Sequence, residues 1–317
     1  MEELRNYNRR EILRLLGAGA VGLSATNLYG INPTGRNKQT KLSVLHTNDW
    51  HSRIDPFPEN DPKFPSMGGA ARRASLIKTI RKKEDHVLLL DAGDIIQGTP
   101  YFNYYHGEPE IKLMNLMGYD AATMGNHDFD NGMEALALLM KLADFPFVNC
   151  NYDLKGTPLE KLVRKSIVLK RGGIKIGITG VGINLKGFIP DEHHAGLIYL
   201  DPISKANEEA ERLKREKGCS MVICLSHLGY SYTDAKVSDR VLAAESENID
   251  IILGGHTHTF LENPENLNNK VGKQVVVNQV GWAGLRLGQI NCVFSSQNNM
   301  KSEEKVEIEV FKKSIAI

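Results

Sequence analysis

The stretch Gly125-Asn126-His127-Asp128-Phe129-Asp130-Asn131-Gly132 sets two amides, an imidazole and two carboxylates between glycines. As chemistry it offers a neutral oxygen donor at Asn126, a proton carrier at His127 and, three residues on, a carboxylate at Asp130 able to orient the imidazole. Taken alone, the stretch also suits a polar turn capping a helix, because Asn and Asp favour N-caps and loops. Residues of the same kind recur along the chain in Asp49-x-His51, Asp91-x-x-Asp94, Ser226-His227 and His256-x-His258. Asp-x-His and His-x-His put both side chains of an extended segment on one face, so each pair can point at one place. All of these donors are hard oxygen or imidazole nitrogen. Such a set suits Zn²⁺, Mn²⁺ or Fe, and neither a thiolate site nor a Ca²⁺ or Mg²⁺-only site.

The elements that must position these donors can be read from the apolar pattern. Short β-rich runs stand at 41–47, 86–90, 121–124, 146–150, 175–180, 221–225, 249–253, 274–278 and 286–294. Helical spacing of apolar residues lies between many of them, at 69–83, 110–117, 133–142, 203–217 and 235–246. Alternating strands and helices, with nearly continuous apolar strands, predict buried sheet of the α/β class. The last strands follow one another without helices, which predicts antiparallel pairing among them. Each candidate donor stands just after one of these strands. Ligands of open α/β sheets gather beyond the carboxyl ends of the strands, so donors spread from Asp49 to His258 would converge on one site.

Composition narrows the setting. With 39 basic against 38 acidic residues, the net charge of +1 gives no global field for a nucleic-acid polymer or an anionic membrane. The first residues differ from the rest: arginines at Arg5, Arg9, Arg10 and Arg14 precede a mild Gly/Ala-rich apolar run from Leu15 to Ala25. The run is too short for a stable membrane span, and Arg9-Arg10 followed by apolar residues resembles a twin-arginine export signal. The expected organisation is therefore a signal segment at 1–25, a polar linker at 26–40 and one domain at 41–317, with an exported and periplasmic location. Cys150, Cys219, Cys224 and Cys292 form no C-x-x-C pair and read as small buried residues.

The series Asp49-x-His51, Gly93-Asp94, Gly125-Asn126-His127-Asp128, His227 and Gly255-His256-x-His258 resembles the five-block signature of the calcineurin-like metallophosphatases. The stretch from Asp91 to Gly132 is similar to the catalytic domain of the 5'-nucleotidase branch, and the likeness covers about residues 41–312. The resemblance implies a four-layer α/β/β/α sandwich built on two mixed β-sheets, with two divalent metal ions at the strand ends. It implies that Asp49, His51, Asp94 and His258 hold one ion, that Asp94, Asn126, His227 and His256 hold the other, and that Asp94 bridges them. It makes His127 and Asp130 the catalytic dyad, with His127 off the metals and Asp130 fixing its tautomer. The implied activity is hydrolysis of nucleotides or related phosphate esters, since a pair of cations can activate water and clamp phosphoryl oxygens. A thiosulfohydrolase of sulfur oxidation, or a non-catalytic subunit on the same fold, are the alternatives. Two positions depart from the branch: Asp128 stands where Glu is usual and Ser52 where Gly is frequent, neither in a ligand position. Members of the branch carry a second, nucleoside-binding domain after the metal domain. Its absence before Ile317 leads us to expect a separate polypeptide that completes the enzyme, the alternative being a self-sufficient enzyme that selects its substrate with loops such as Phe57–Met67 or Leu185–His194. Gly68-Gly69, opening the helix that carries Arg72 and Arg73, could also present an anion site.

Overall fold

The computed structural model describes residues 39–234, 236–295, 305–307 and 315–317. The expected signal segment, and all but the last two residues of the expected linker, lie outside them. In chain order the first half forms β1 (Gln39–Thr47), α1 (Ala70–Arg81), β2 (Val87–Asp91), α2 (Pro100–Tyr105), α3 (Glu108–Met117), β3 (Ala121–Ala122), α4 (Gly132–Leu142), β4 (Phe147–Val148), β5 (Tyr152–Asp153) and β6 (Val163–Arg164). The second half forms β7 (Ser166–Arg171), β8 (Ile174–Gly182), β9 (Ile198–Tyr199), α5 (Pro202–Arg215), β10 (Met221–His227), α6 (Asp239–Glu245) and β11 (Ile251–Gly254). It ends with β12 (Glu265–Asn268), β13 (Gln274–Asn278), β14 (Arg286–Ser295), β15 (Lys305–Glu307) and β16 (Ile315–Ala316).

Two large mixed sheets result. One has the order β15-β14-β1-β2-β3-β4-β6, with β16 also on β14; the other has the order β12-β13-β11-β10-β8-β7. Parity along the strands explains why their sequences read as unbroken apolar runs. Leu88 and Leu90 of β2 enter a layer shared with Met221, Ile223 and Leu225 of β10 and with Ile251 and Leu253 of β11, so this layer lies between the sheets. The residues of opposite parity face helices. Leu89 packs with Ile77 of α1, Met114 of α3 and Leu136 of α4, whereas Val222, Cys224 and Ile252 pack with Ala206, Ala210 and Leu213 of α5 and Leu242 of α6. The outcome is helices, sheet, sheet, helices. Each fully buried Leu or Ile in these layers stabilises the fold by about 1.5–3 kcal/mol relative to exposure.

The antiparallel pairing expected among the last strands is found for β14, which pairs so with β15 and β16, but not between β13 and β14, which lie in different sheets. β13 runs parallel to β11 in one sheet, whereas β14 runs antiparallel to β1 in the other. Val275 to Asn278 are all buried, and that double burial requires neighbours on both faces that only an interior strand has. Nor does the start of α1 offer an anion site. Arg72 is bonded to the carbonyls of Ser66 and Gly68, and Arg73 is buried with its guanidinium 3.9 Å from the Trp50 ring centroid. All four cysteines are buried and free.

Candidate metal centre

Both sheets deliver donors to one place. Asp49 and His51 follow β1, Asp94 follows β2 and Asn126 follows β3. His227 ends β10, and His256 and His258 follow β11. β1, β2 and β3 are mutually parallel, as are β10 and β11, so each group of loops leaves its sheet at one edge. Backbone bonds then stitch the loops together: Asp49 N–H donates to Gly93 O (2.9 Å) and His51 N–H to Asp94 O (3.0 Å). Across the sheets, His256 N–H donates to the Asp49 carboxylate at 3.0 Å and Asn48 Nδ2 donates to Gly281 O at 2.6 Å.

These loops hold unusual backbone. Asp49, His51, Asp94, His256 and His258 all have φ between 50° and 75°, a left-handed region that side chains other than glycine rarely occupy. Each such residue costs on the order of 1–3 kcal/mol and persists where the surroundings over-determine it, which is typical of functional sites.

The side chains meet in two groups that share one residue. Donor atoms of Asp49, His51, Asp94 and His258 lie within 4.8 Å of one another, and so do those of Asp94, His227 and His256. His51 Nε2 stands 2.9 Å from His258 Nε2 and 3.8 Å from Asp94 Oδ2, while His258 Nε2 stands 3.5 Å from Asp49 Oδ1. In the second group His227 Nε2 is 3.1 Å from Asp94 Oδ2, and His256 Nδ1 is 2.8 Å from Asn126 Oδ1. All seven residues expected as ligands are thus adjacent.

Tautomers show what the clusters lack. His227 Nδ1 faces Ala92 O at 2.7 Å and His51 Nδ1 faces Gln97 O at 3.2 Å. A carbonyl only accepts, so both Nδ1 atoms carry the hydrogen; in the neutral rings the His227 Nε2 lone pair faces the Asp94 carboxylate, and that of His51 faces His258 Nε2 with Asp94 beyond it. His227 Nε2 is buried without a hydrogen-bond partner of proper geometry. Lone pairs turned toward one another and toward a buried carboxylate call for a cation between them, and the donor set fits a divalent metal.

Protonation follows the same logic. Burial, reinforced by neighbouring histidines, pushes His256 and His258 down to about 4, and burial also lowers His51, so these rings are neutral and able to ligate. Burial raises Asp49 above the usual carboxylate range. Burial likewise works against the charge on Asp94, yet His227, His51 and His127 hold that carboxyl below its ordinary value. For His227, burial is overridden by Asp94 and Asp49, which raise it to about 10.

His127 stands beside the clusters. Its backbone N–H donates to Asp94 Oδ1 (2.8 Å), its ring lies 5.3 Å from that of His51, and its Nδ1 meets Asp130 Oδ2 at 2.9 Å. The Asp130 bond raises the His127 pKa against the opposing effect of burial. The side chains of His127 and His258 are 36% and 39% exposed while Asp49, Asp94 and His227 are almost wholly covered, so the centre opens to solvent on the His127 and His258 side.

Three contributors were not legible as such in the sequence. Asp128 Oδ2 accepts from Asp94 N (3.0 Å) and Gly125 N (2.8 Å), and its Oδ1 accepts from Ile95 N (2.9 Å), so this carboxylate positions the loop of Asp94. Its place within the eight-residue stretch was the available signal. Trp282 stacks on His258 with ring centroids 5.5 Å apart and planes 5° apart, and Phe188 meets His256 edge-on at 5.4 Å. Neither sits near a polar motif. Gly125 has a local reason: a Cβ there would lie 2.1 Å from Asp94 Oδ1.

Comparison with known proteins agrees with this arrangement. The model of the calcineurin-like phosphoesterase family matches residues 42–260. A snake venom 5'-nucleotidase from Crotalus adamanteus is 33% identical over 280 residues, covering 82% of this chain and 46% of that protein. Among solved structures, a 5'-nucleotidase precursor from Thermus thermophilus aligns with a TM-score of 0.72 at 30% identity, over 86% of this chain and 55% of that one. The calcineurin-like phosphoesterase YfkN from Bacillus subtilis aligns with a TM-score of 0.69 at 26% identity, over 86% of this chain and 91% of that one. The chain spans about half the length of the curated relatives it matches. Fold, donor geometry and a family match that runs over most of the sequence lead to one statement: the chain belongs to the calcineurin-like phosphoesterase family.

Proposed function

We propose that the chain is a phosphoesterase with two divalent metal ions that hydrolyses nucleotides or related phosphate esters, in the manner of a 5'-nucleotidase. The observation that carries this reading is the pair of donor groups sharing Asp94, with His127 and Asp130 alongside. Asp49, His51, Asp94 and His258 would hold one ion, and Asp94, Asn126, His227 and His256 the other. Bound there, the ions would supply Lewis acidity toward a phosphoryl oxygen and lower the pKa of water.

The chain's own residues do the rest. His127, with its pKa raised by Asp130, holds a proton at Nε2 and offers it to the phosphoryl or leaving-group oxygen. Asp130 keeps that ring in the orientation that aims Nε2 away from itself. Asp128 holds the Asp94 loop in place. The open side at His127 and His258 is where an ester would enter, and leaving-group contacts there would come in part from a further domain or a separate polypeptide. The organisation into an export segment at 1–25, a linker and one domain at 41–317, with twin-arginine export to the periplasm, belongs to the same proposal and is supported by the Arg9-Arg10 pattern. Among the described residues, no helix is long and apolar enough to cross a membrane.

Metal-reconstituted protein incubated with AMP tests the proposal: release of inorganic phosphate is expected. Sulfate release from a thiosulfonate with no phosphate from AMP would favour the thiosulfohydrolase alternative, and neither reaction would favour a binding subunit.

A further inference from the structure

A turn after β8 carries a large apolar side chain into solvent. Phe188 is 57% exposed although Leu185 and Ile189 on either side are 1% and 4% exposed and belong to the core that packs helices on the first sheet. The turn is tight: the N–H groups of Phe188 and Ile189 both donate to Leu185 O, at 3.0 and 3.2 Å, and Gly187 supplies a φ of +85°. With both flanks anchored, the ring cannot withdraw into the core by moving the loop. Its ring contact is with the imidazole of His256, whose Nδ1 faces Asn126 Oδ1 in the second donor group. Phe188 therefore stands one side chain away from the place where phosphorus would react, at the rim, with most of its ring free.

We propose that Phe188 is a specificity-determining residue, the platform on which a planar aromatic part of the leaving group, a nucleobase, stacks while the phosphate lies in the metal centre. The inference rests on the phosphoesterase reading above and adds to it the source of preference for nucleotides. A planar ring is favoured because aromatic pairs add attraction beyond area burial and every base presents a π-face. A stack reads no base edge, so the preference extends to AMP, GMP and CMP alike.

The experiment compares the full metal-reconstituted chain with its Phe188→Ala and Phe188→Tyr variants on AMP and on glycerol 2-phosphate, with metal content measured for each. Phe188→Ala is expected to lower kcat/KM for AMP by at least about fivefold, the lower end of what a base–aromatic stack contributes. Its metal content and its rate on glycerol 2-phosphate are expected to stay unchanged, and Phe188→Tyr to restore AMP. Equal losses on both esters would mean that the ring only supports His256, and no loss on AMP would mean that it is idle; either result overturns the inference. Hydrolysis of glycerol 2-phosphate by the unaltered chain tests the phosphoesterase reading separately. Should that reaction fail, calorimetric binding of the two esters still decides, since weaker binding of AMP alone in Phe188→Ala supports the platform and equal binding overturns it.

Discussion

His227 Nε2 lies 3.1 Å from Asp94 Oδ2, and both side chains are shut away from water. In the metal-free protein a proton occupies this gap, because the neighbouring carboxylates raise His227 to about 10. Its folded pKa exceeds the unfolded value near 6.5, so its stabilising contribution is full below that value and is lost as pH rises through about 10. A metal ligand must shed the proton, so metal binding should tighten as pH rises from 6.5 toward 10 and should release protons. Calorimetry at neutral pH in buffers of different ionisation enthalpy counts them. At least one proton per chain is expected; none would exclude His227 as a ligand.

Asp94 is common to both donor groups, whereas His51 and His256 each belong to one. Asp94→Ala should therefore remove both ions, and His51→Ala or His256→Ala should weaken mainly one. Elemental analysis after reconstitution is expected to give about two ions for the unaltered chain, as a dinuclear centre requires. A single ion would contradict it.

His127 lies beside the clusters and outside both of them, so His127→Ala should keep the metals while kcat falls by ~10²–10⁴, the range for a positioned acid–base group. Because Asp130 raises His127, Asp130→Asn should lower it. If the protonated ring is the active form, activity is lost as pH rises through its pKa, and the variant's alkaline limb moves to lower pH. A kcat–pH profile checks the shift; an unmoved limb would separate Asp130 from this role.

Asp128 accepts backbone N–H groups from Asp94, Ile95 and Gly125. Asp128→Ala leaves them buried without an acceptor, and a destabilisation of about 2–4 kcal/mol is expected. Denaturant melts run in chelator measure this without a metal contribution. Gly125→Ala should act at the same spot by another route, displacing the Asp94 carboxylate and lowering metal content, since the new Cβ would overlap it.

The donors were legible because their types are rare together and each one follows an apolar run. Such runs name strands reliably when both faces are buried, as in β10 and β13. Other features depend on partners distant in the chain. β7 is only half-covered at the sheet edge, and its short apolar run Ile167-Val168-Leu169 is closed by Lys170 and Arg171, so it stands out less than a fully buried strand. β3 and β4 fall inside the runs expected at 121–124 and 146–150, and only their shortness, two residues each, is set by pairing. The parallel pairing of β13 with β11 could not be seen in adjacent strands, nor could the burial of Arg73 against Trp50 be seen in a run of helix-forming residues. Phe188 and Trp282 read as ordinary apolar residues until the loops are folded beside His256 and His258.

The joining of loops from two sheets at a single centre bears on how the molecule comes apart. An ion held by Asp49, His51, Asp94 and His258 would staple segments separated by most of the chain, and the sheets could not part without breaking it. Such a staple cannot form until both sheets have already docked, so it acts after the folding barrier and not before it. Chelation should accordingly speed unfolding many-fold while leaving the refolding rate nearly constant, which makes the metal a determinant of the protein's lifetime more than of its assembly.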